Sequence, residues 1–202
     1  VHTGDGDDEV VIEGLDGSDV NEVVLYLGAG DDVVEGSGSK ESIRAYGEAG
    51  SDRFVGGAEE DRFYGGEGFD WVDYSGAPHR VRVDLRRKTY EDGWGSRDYL
   101  DGIEGALGSE YDDHIWGSDG ADEIHGNGGD DEIWGRRGDD LIYGGEGNDR
   151  IDGDDGDDVI EGGAGSDHLE GDDGDDLLAG GEGDDYVEGG RGEDLLYFPE
   201  AT

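Results

Sequence analysis

Asp122, Asp131, Asp140, Asp149, Asp158, Asp167, Asp176, Asp185 and Asp194 follow one another at intervals of nine residues. Each sits in a nonapeptide, together spanning 117–197, with glycine at its first and fourth positions and aspartate at its sixth. The first-position glycines are Gly117, Gly126, Gly135, Gly144, Gly153, Gly162, Gly171, Gly180 and Gly189. The eighth position is always a large aliphatic, from Ile124 through Ile133, Ile142, Ile151, Ile160, Leu169, Leu178 and Val187 to Leu196. Clustered carboxylates either pair as acid and base on a substrate or act together as hard oxygen ligands for a cation. Here every aspartate has the same neighbours, so none is set apart for proton transfer. Ligation is the chemistry this spacing favours.

Such a unit holds six turn-forming positions and three that suit a strand. Side chains alternate faces along a strand, so position 8 points one way and positions 7 and 9 the other. Two units then make one coil, and stacked coils make two parallel sheets over a thin aliphatic seam. Ile124, Ile142, Ile160, Leu178 and Leu196 would line one sheet, and Ile133, Ile151, Leu169 and Val187 the other. Stacking brings the aspartates of alternate units roughly 5 Å apart, where each like-charge pair costs about 3 kcal/mol at an effective dielectric near 20. A bare column is therefore untenable, and cations must sit in it. Carboxylate and exposed turn carbonyl oxygens in a flexible loop suit calcium better than zinc, copper or compact octahedral magnesium. Nine loops would offer about seven sandwiched sites, four along one edge and three along the other.

The blocks resemble the hemolysin-type calcium-binding nonapeptide, G-G-x-G-x-D-x-U-x with U large and apolar, of the RTX (repeats-in-toxin) family. The fourth block, GGEGNDRID, and the sixth, GGAGSDHLE, carry the likeness most clearly. The resemblance implies an all-β fold, a right-handed parallel β-roll of two short-stranded sheets with calcium between turns. It also implies that each aspartate carboxylate, with backbone carbonyls of the early loop such as those of the nine first-position glycines, binds calcium shared by successive coils. Calcium-driven folding after passage through type I secretion machinery follows from the same likeness. Asn127, Arg136, Asp154 and Asp172 depart from the second glycine, which puts local turn geometry in question.

Upstream the motif persists in altered form. Gly6/Asp8, Gly17/Asp19, Gly30/Asp32, Gly50/Asp52 and Gly68/Asp70 keep the G-x-D core, and Asp61 keeps the phase without its glycine. Residues 1–72 are expected to form an irregular roll, with ligands at Asp52, Asp61 and Asp70 and weaker candidates at Asp8, Asp19 and Asp32. Residues 73–107 form a non-repeat connector: Val81, Val83 and Leu85 alternate as in a half-buried strand, Gly93 and Gly95 mark a turn, and Leu100 and Ile103 resume the apolar pattern. The stretch resembles the non-nonapeptide connector that often links RTX blocks, a resemblance that puts Asp70, Asp73, Asp84, Asp98 and Glu104 at its recurrent acidic positions. From 108 to 202 the regular roll resumes, with Asp113 at position 6 and a cap around Leu195, Leu196 and Phe198. A continuous solenoid is expected across the connector.

The 58 acidic and 14 basic residues leave a net charge of −44, which disfavours nucleic acid and anionic membranes as partners. Hydrophobic residues make up 31%, a disorder-prone composition unless a ligand offsets it. There is no cysteine, no run of membrane-spanning length, no H-E-x-x-H and no G-x-S-x-G, so neither a zinc hydrolase nor a lipase is encoded. Arg80, Arg82, Arg86, Arg87 and Lys88 cluster beside His79, either as local charge balance or as a patch for an anionic ligand. Trp116, His125, Trp134 and Tyr143 occupy outward position 9, where they either shield the sheets or touch a ligand. The expected protein is a monomeric, non-catalytic, secreted calcium-binding scaffold. The alternative is a calcium-dependent polysaccharide- or surface-binding module using Trp116, Trp134 and the basic cluster.

Overall fold

The computed structural model describes residues 1–13, 21–86 and 88–197, without the side chains of Lys88 and Tyr90. Asp19, Arg87, Phe198 and the Lys88 side chain thus lie outside the described residues. Among those described there is no helix: 12 strands form one sheet and 10 the other. The chain alternates between the sheets, climbing one rung per coil, as a parallel β-roll. Ile124, Ile142, Ile160, Leu178 and Leu196 stand in direct register on the 10-stranded sheet. Ile115, Ile133, Ile151, Leu169 and Val187 do the same on the 12-stranded sheet. From Ile115 to Leu178 these side chains are buried, facing one another across a seam one side chain deep. The seam opens towards solvent at the last rung, where Leu196 is 37% exposed.

Strands of the regular run are longer than the three residues expected. Glu123–Gly128, Leu141–Glu146 and Val159–Ala164 each continue through positions 1 to 3 of the next block. Asn127 pairs with Gly145 and Gly128 with Glu146, so the ladder runs on into the turn residues. A glycine or left-handed residue at position 2 kinks the strand without interrupting its pairing.

The connector departs from the coil pattern. After Trp71–Asp73 the chain skips ahead to form Arg82–Asp84, which pairs in parallel with the later strand His114–Trp116. It then doubles back antiparallel as Lys88–Glu91 and again as Tyr99–Asp101, which rejoins Arg62–Glu67. Gly105–Leu107 finally returns to the 10-stranded sheet beside Trp71–Asp73. One sheet therefore runs unbroken while the other gains two strands. The added width is filled by larger side chains: Tyr74, Val81, Val83, Leu85, Leu100 and Ile103 are all buried. Phe54 and Phe63 stack at 5.1 Å just before it. Solenoid continuity holds, as expected, through an antiparallel excursion that the repeat phase does not announce.

Candidate metal centre

Each position-6 aspartate sits where a turn enters a strand, and its burial follows from the coil above. Asp131, Asp140, Asp149, Asp158, Asp167 and Asp176 are at most 2% exposed. One carboxylate oxygen, Oδ1, accepts a hydrogen bond from the backbone N–H of the aspartate 18 residues earlier. Asp113 donates to Asp131, Asp131 to Asp149, Asp122 to Asp140 and Asp140 to Asp158, at 2.8–2.9 Å. Upstream, Asp8 donates to Asp32, Asp32 to Asp52 and Asp52 to Asp70 in the same way. Asp70 then donates to Glu104, which thereby stands in the column as a longer substitute. These chains of N–H to carboxylate bonds were not anticipated from the sequence. They relieve part of the like-charge cost on one oxygen only.

The second oxygen is the informative one. Oδ2 is buried without a hydrogen-bond partner in nine aspartates: Asp32, Asp52, Asp70, Asp131, Asp140, Asp149, Asp158, Asp167 and Asp176. Buried orphans of this kind cost about 1–3 kcal/mol each, more when charged. At Gly144 an added Cβ would lie 2.3 Å from Asp149 Oδ2 and 2.5 Å from the Gly162 carbonyl oxygen, so both oxygens face one small void. The same convergence recurs at Gly126, with Asp131 and Gly144, and at Gly171, with Asp176 and Gly189. An orphaned carboxylate oxygen beside a carbonyl oxygen, repeated along both edges, is a donor set that fits a hard divalent cation. Burial, reinforced by neighbouring carboxylates, pushes the metal-free Asp131 and Asp140 up to about 8 and Asp70 and Asp158 up to about 7.

Three turns are built differently. Asp61 Oδ2 accepts from Gly57 N–H and its Oδ1 from Ile43 N–H. Asp113 accepts from Ser109 N–H, Ser109 Oγ and Val81 N–H. Asp122 accepts from Ser118 N–H through Oδ2, leaving Oδ1 without a partner. The switch between the two forms is the backbone at position 2. All nine turns with an orphaned Oδ2 have positive φ there, including Glu48 at 75°, Asn127 at 75°, Arg136 at 81°, Asp154 at 69° and Asp172 at 67°. The substituted second glycines thus keep the left-handed geometry, at a cost of roughly 1 kcal/mol or more each. Gly57, Ser109 and Ser118 do not adopt it, and their N–H groups turn inward onto the carboxylate. The first form is open to a cation; in the second, a backbone N–H occupies the carboxylate.

All three closed turns border the connector, where other groups complete the wiring. Asp98, 2% exposed, accepts from Tyr74 Oη at 2.9 Å and from Asp61 N–H at 3.0 Å. Arg136 reaches back past Ser118 to Asp84 with both Nη atoms and also donates to the Gly117 carbonyl at 2.7 Å. Asn127 donates to the Gly108 carbonyl at 2.7 Å. One of the carbonyls singled out as ligand candidates, that of Gly117, is thus already engaged by a side chain of this chain. At the far end, Asp185 and Asp194 remain partly exposed, each accepting from the aspartate 18 residues before it.

Of the basic cluster, Arg80, Arg82 and Arg86 are described. Arg80 pairs with Glu91, and Arg86 with Asp84 and Asp119, in different directions, while Arg82 stands in register with His114. Trp116 and Trp134 stack at 5.2 Å and 7°, each covering a face of the other, and His125 stacks on Tyr143 at 4.7 Å. A longer ladder, His2–Tyr26–Tyr46–Tyr64, stacks the same way on the first coils, at 4.6–5.0 Å.

The family model for the RTX calcium-binding nonapeptide repeat matches residues 23–39, 44–74, 107–142, 125–160, 134–169 and 161–196, well over half the chain. No curated protein matches the chain as a whole. The repeated turns, their buried aspartates and this match lead to one identification: the chain belongs to the RTX calcium-binding nonapeptide repeat family.

Proposed function

We propose that this chain is a folding scaffold that becomes ordered only where calcium is plentiful, as part of a larger exported protein. The calcium-binding module itself follows from the family, and its β-roll is a structural rather than a catalytic fold. The observation that carries the finer reading is the set of nine buried carboxylate oxygens without a partner. Asp131, Asp140, Asp149, Asp158, Asp167 and Asp176 would hold the ions of the regular run, each with the position-1 carbonyl of the next coil. Asp52, Asp70 and Asp32 would extend the row upstream. Bound calcium supplies the positive charge that offsets the buried like charges. The chain's own part is to hold Oδ1 in place with the N–H ladder and to aim Oδ2 into the void through a left-handed residue at position 2.

Because the ligand oxygens meet only in the coiled state, binding adds to folding stability, about 2.7 kcal/mol per site at a hundredfold excess over Kd. Submicromolar cytosolic calcium would leave the regular run unfolded and export-competent. An extracellular level would fold it on the far side of a type I secretion channel. Any catalytic activity of the parent would then reside outside these repeats. Circular dichroism in EDTA and then in millimolar calcium tests this: strand signal should appear with calcium, and an unchanged spectrum overturns the reading. The alternative, polysaccharide binding through Trp116, Trp134 and the basic cluster, has less behind it. Their mutual stacking leaves fewer ring faces for a sugar, and Arg80 and Arg86 are already paired with carboxylates of this chain.

A further inference from the structure

The two outer faces of the regular roll are not alike. On the 12-stranded sheet, position 7 carries Glu132, Arg150, His168 and Tyr186; Arg150 pairs with Glu170, and His168 stacks on Tyr186. On the 10-stranded sheet the same position carries Leu141, Val159, Leu177 and Leu195, in register on four successive rungs. Val159 is 40%, Leu177 39% and Leu195 64% exposed. Neither the coil seam nor the metal turns use these side chains, in a chain with few apolar residues to spare. A continuous exposed aliphatic row of this kind marks a contact surface.

One border is acidic. Two residues before each aliphatic stand Asp139, Asp157, Asp175 and Glu193, exposed and locked in a row. The N–H groups of Asp157, Asp175 and Glu193 each donate to the carboxylate one coil earlier, at 3.0, 2.9 and 2.8 Å. On the other flank the adjoining row reads Tyr143, Glu161, Ala179 and Tyr197, with Glu146 and Glu182 further along the strands. The five strands of this face from Glu123 to Tyr197 contain no arginine or lysine.

We propose that this face docks a cationic amphipathic helix of a partner polypeptide, its apolar seam on the Leu141–Leu195 row and its lysines or arginines over the flanking carboxylates. Four rungs at about 4.8 Å span about 14 Å, the length of about ten helical residues, and a helical turn of about 5.4 Å nearly matches the rung spacing. Charge complementarity selects this occupant. A second copy of a chain with net charge −44 would bring acid against acid, and an anionic membrane would do the same.

Fluorescence anisotropy in millimolar calcium tests it, with a labelled leucine–lysine peptide whose leucines repeat at helical i, i+3, i+4, i+7 spacing. A scrambled peptide of identical composition serves as control. The ordered peptide should bind, more weakly as salt is raised, and Leu177→Lys or Val159→Lys should each lower affinity at least about tenfold. Glu132→Lys on the opposite face should leave it unchanged. Circular dichroism of each variant in calcium separates loss of the docking face from loss of calcium-dependent folding. Equal binding of the scrambled peptide, indifference to both lysine variants, or self-association that Leu177→Lys abolishes would each overturn the proposal.

Discussion

The coils from Gly126 to Asp176 and the stretch from Asp61 to Asp122 share one repeat phase yet meet the same electrostatic problem in opposite ways. In the former, each aspartate keeps one oxygen for the neighbouring coil and leaves the other unpaired. In the latter, Asp70 keeps an unpaired Oδ2, while donors from Gly57, Ser109, Ser118, Tyr74 and Arg136 take up the carboxylates of Asp61, Asp113, Asp122 and Asp98 and the Gly117 carbonyl. On the proposed reading the first region draws its stability from an external ion. The second carries its own hydrogen bonds and a thicker core, with Tyr74, Leu85, Leu100 and Ile103 buried. On that reading, calcium dependence in this roll is set turn by turn, by the sign of one φ angle, rather than by the presence of aspartate.

Substitutions on the two sides should therefore differ in kind. Gly144→Ala puts a Cβ 2.3 Å from Asp149 Oδ2, inside an open turn. It should weaken calcium at that turn by about tenfold or more, the equivalent of at least about 1.4 kcal/mol lost from one site. Tyr74→Phe leaves Asp98 Oδ2 without its donor and should cost about 1–3 kcal/mol at every calcium concentration, with the affinity of the open turns for calcium unchanged. Calcium titrations followed by urea unfolding separate the two. A purely calcium-dependent loss in Tyr74→Phe would erase the distinction.

Acid should partly replace calcium. Burial first, then neighbouring carboxylates, raise Asp131 and Asp140 from 3.8 to about 8 and Asp158 to about 7 in the metal-free roll. Protonation thus favours the coiled state: its contribution is complete below about pH 4 and is lost as pH climbs towards 8. In EDTA, strand signal should grow as pH is lowered from 8 to about 4.5, and less so in Asp131→Asn. A signal that falls on acidification would contradict the buried-carboxylate reading.

A smaller effect sharpens the turn rule. Ser109→Gly removes the hydroxyl bond to Asp113 and relaxes the steric bar to positive φ. It should let one closed turn take up an ion, read as one more calcium by native mass spectrometry. Unchanged stoichiometry would mean that Val81 N–H on Asp113 suffices to keep the turn shut.

Much of this was legible in the sequence because periodicity is local. The phase of Ile124, Ile142 and Ile160 against Ile133 and Ile151 assigned each to its sheet, and the structure places them there. The same count puts Trp116 and Trp134 one rung apart on one sheet, and there they stack. The antiparallel return of Lys88–Glu91 did not, because strand order depends on contacts between Arg82–Asp84 and the later His114–Trp116 that no repeat encodes. Nor did the open and closed turns: Arg136 and Ser118 hold the same position, and only the folded backbone sets their opposite φ. Asp61 and Asp113 looked like their neighbours in spacing, while their oxygens are satisfied by residues 4 to 32 positions away.

Long-wavelength anomalous diffraction from crystals grown in calcium reads each turn separately. Peaks beside Asp131, Asp140, Asp149, Asp158, Asp167 and Asp176, with none at Asp61 or Asp113, are the result expected. An intact roll with no anomalous density in those six turns, or equal density at Asp61 and Asp113, would contradict the claim that left-handed turns, and they alone, recruit the metal that holds the coils together.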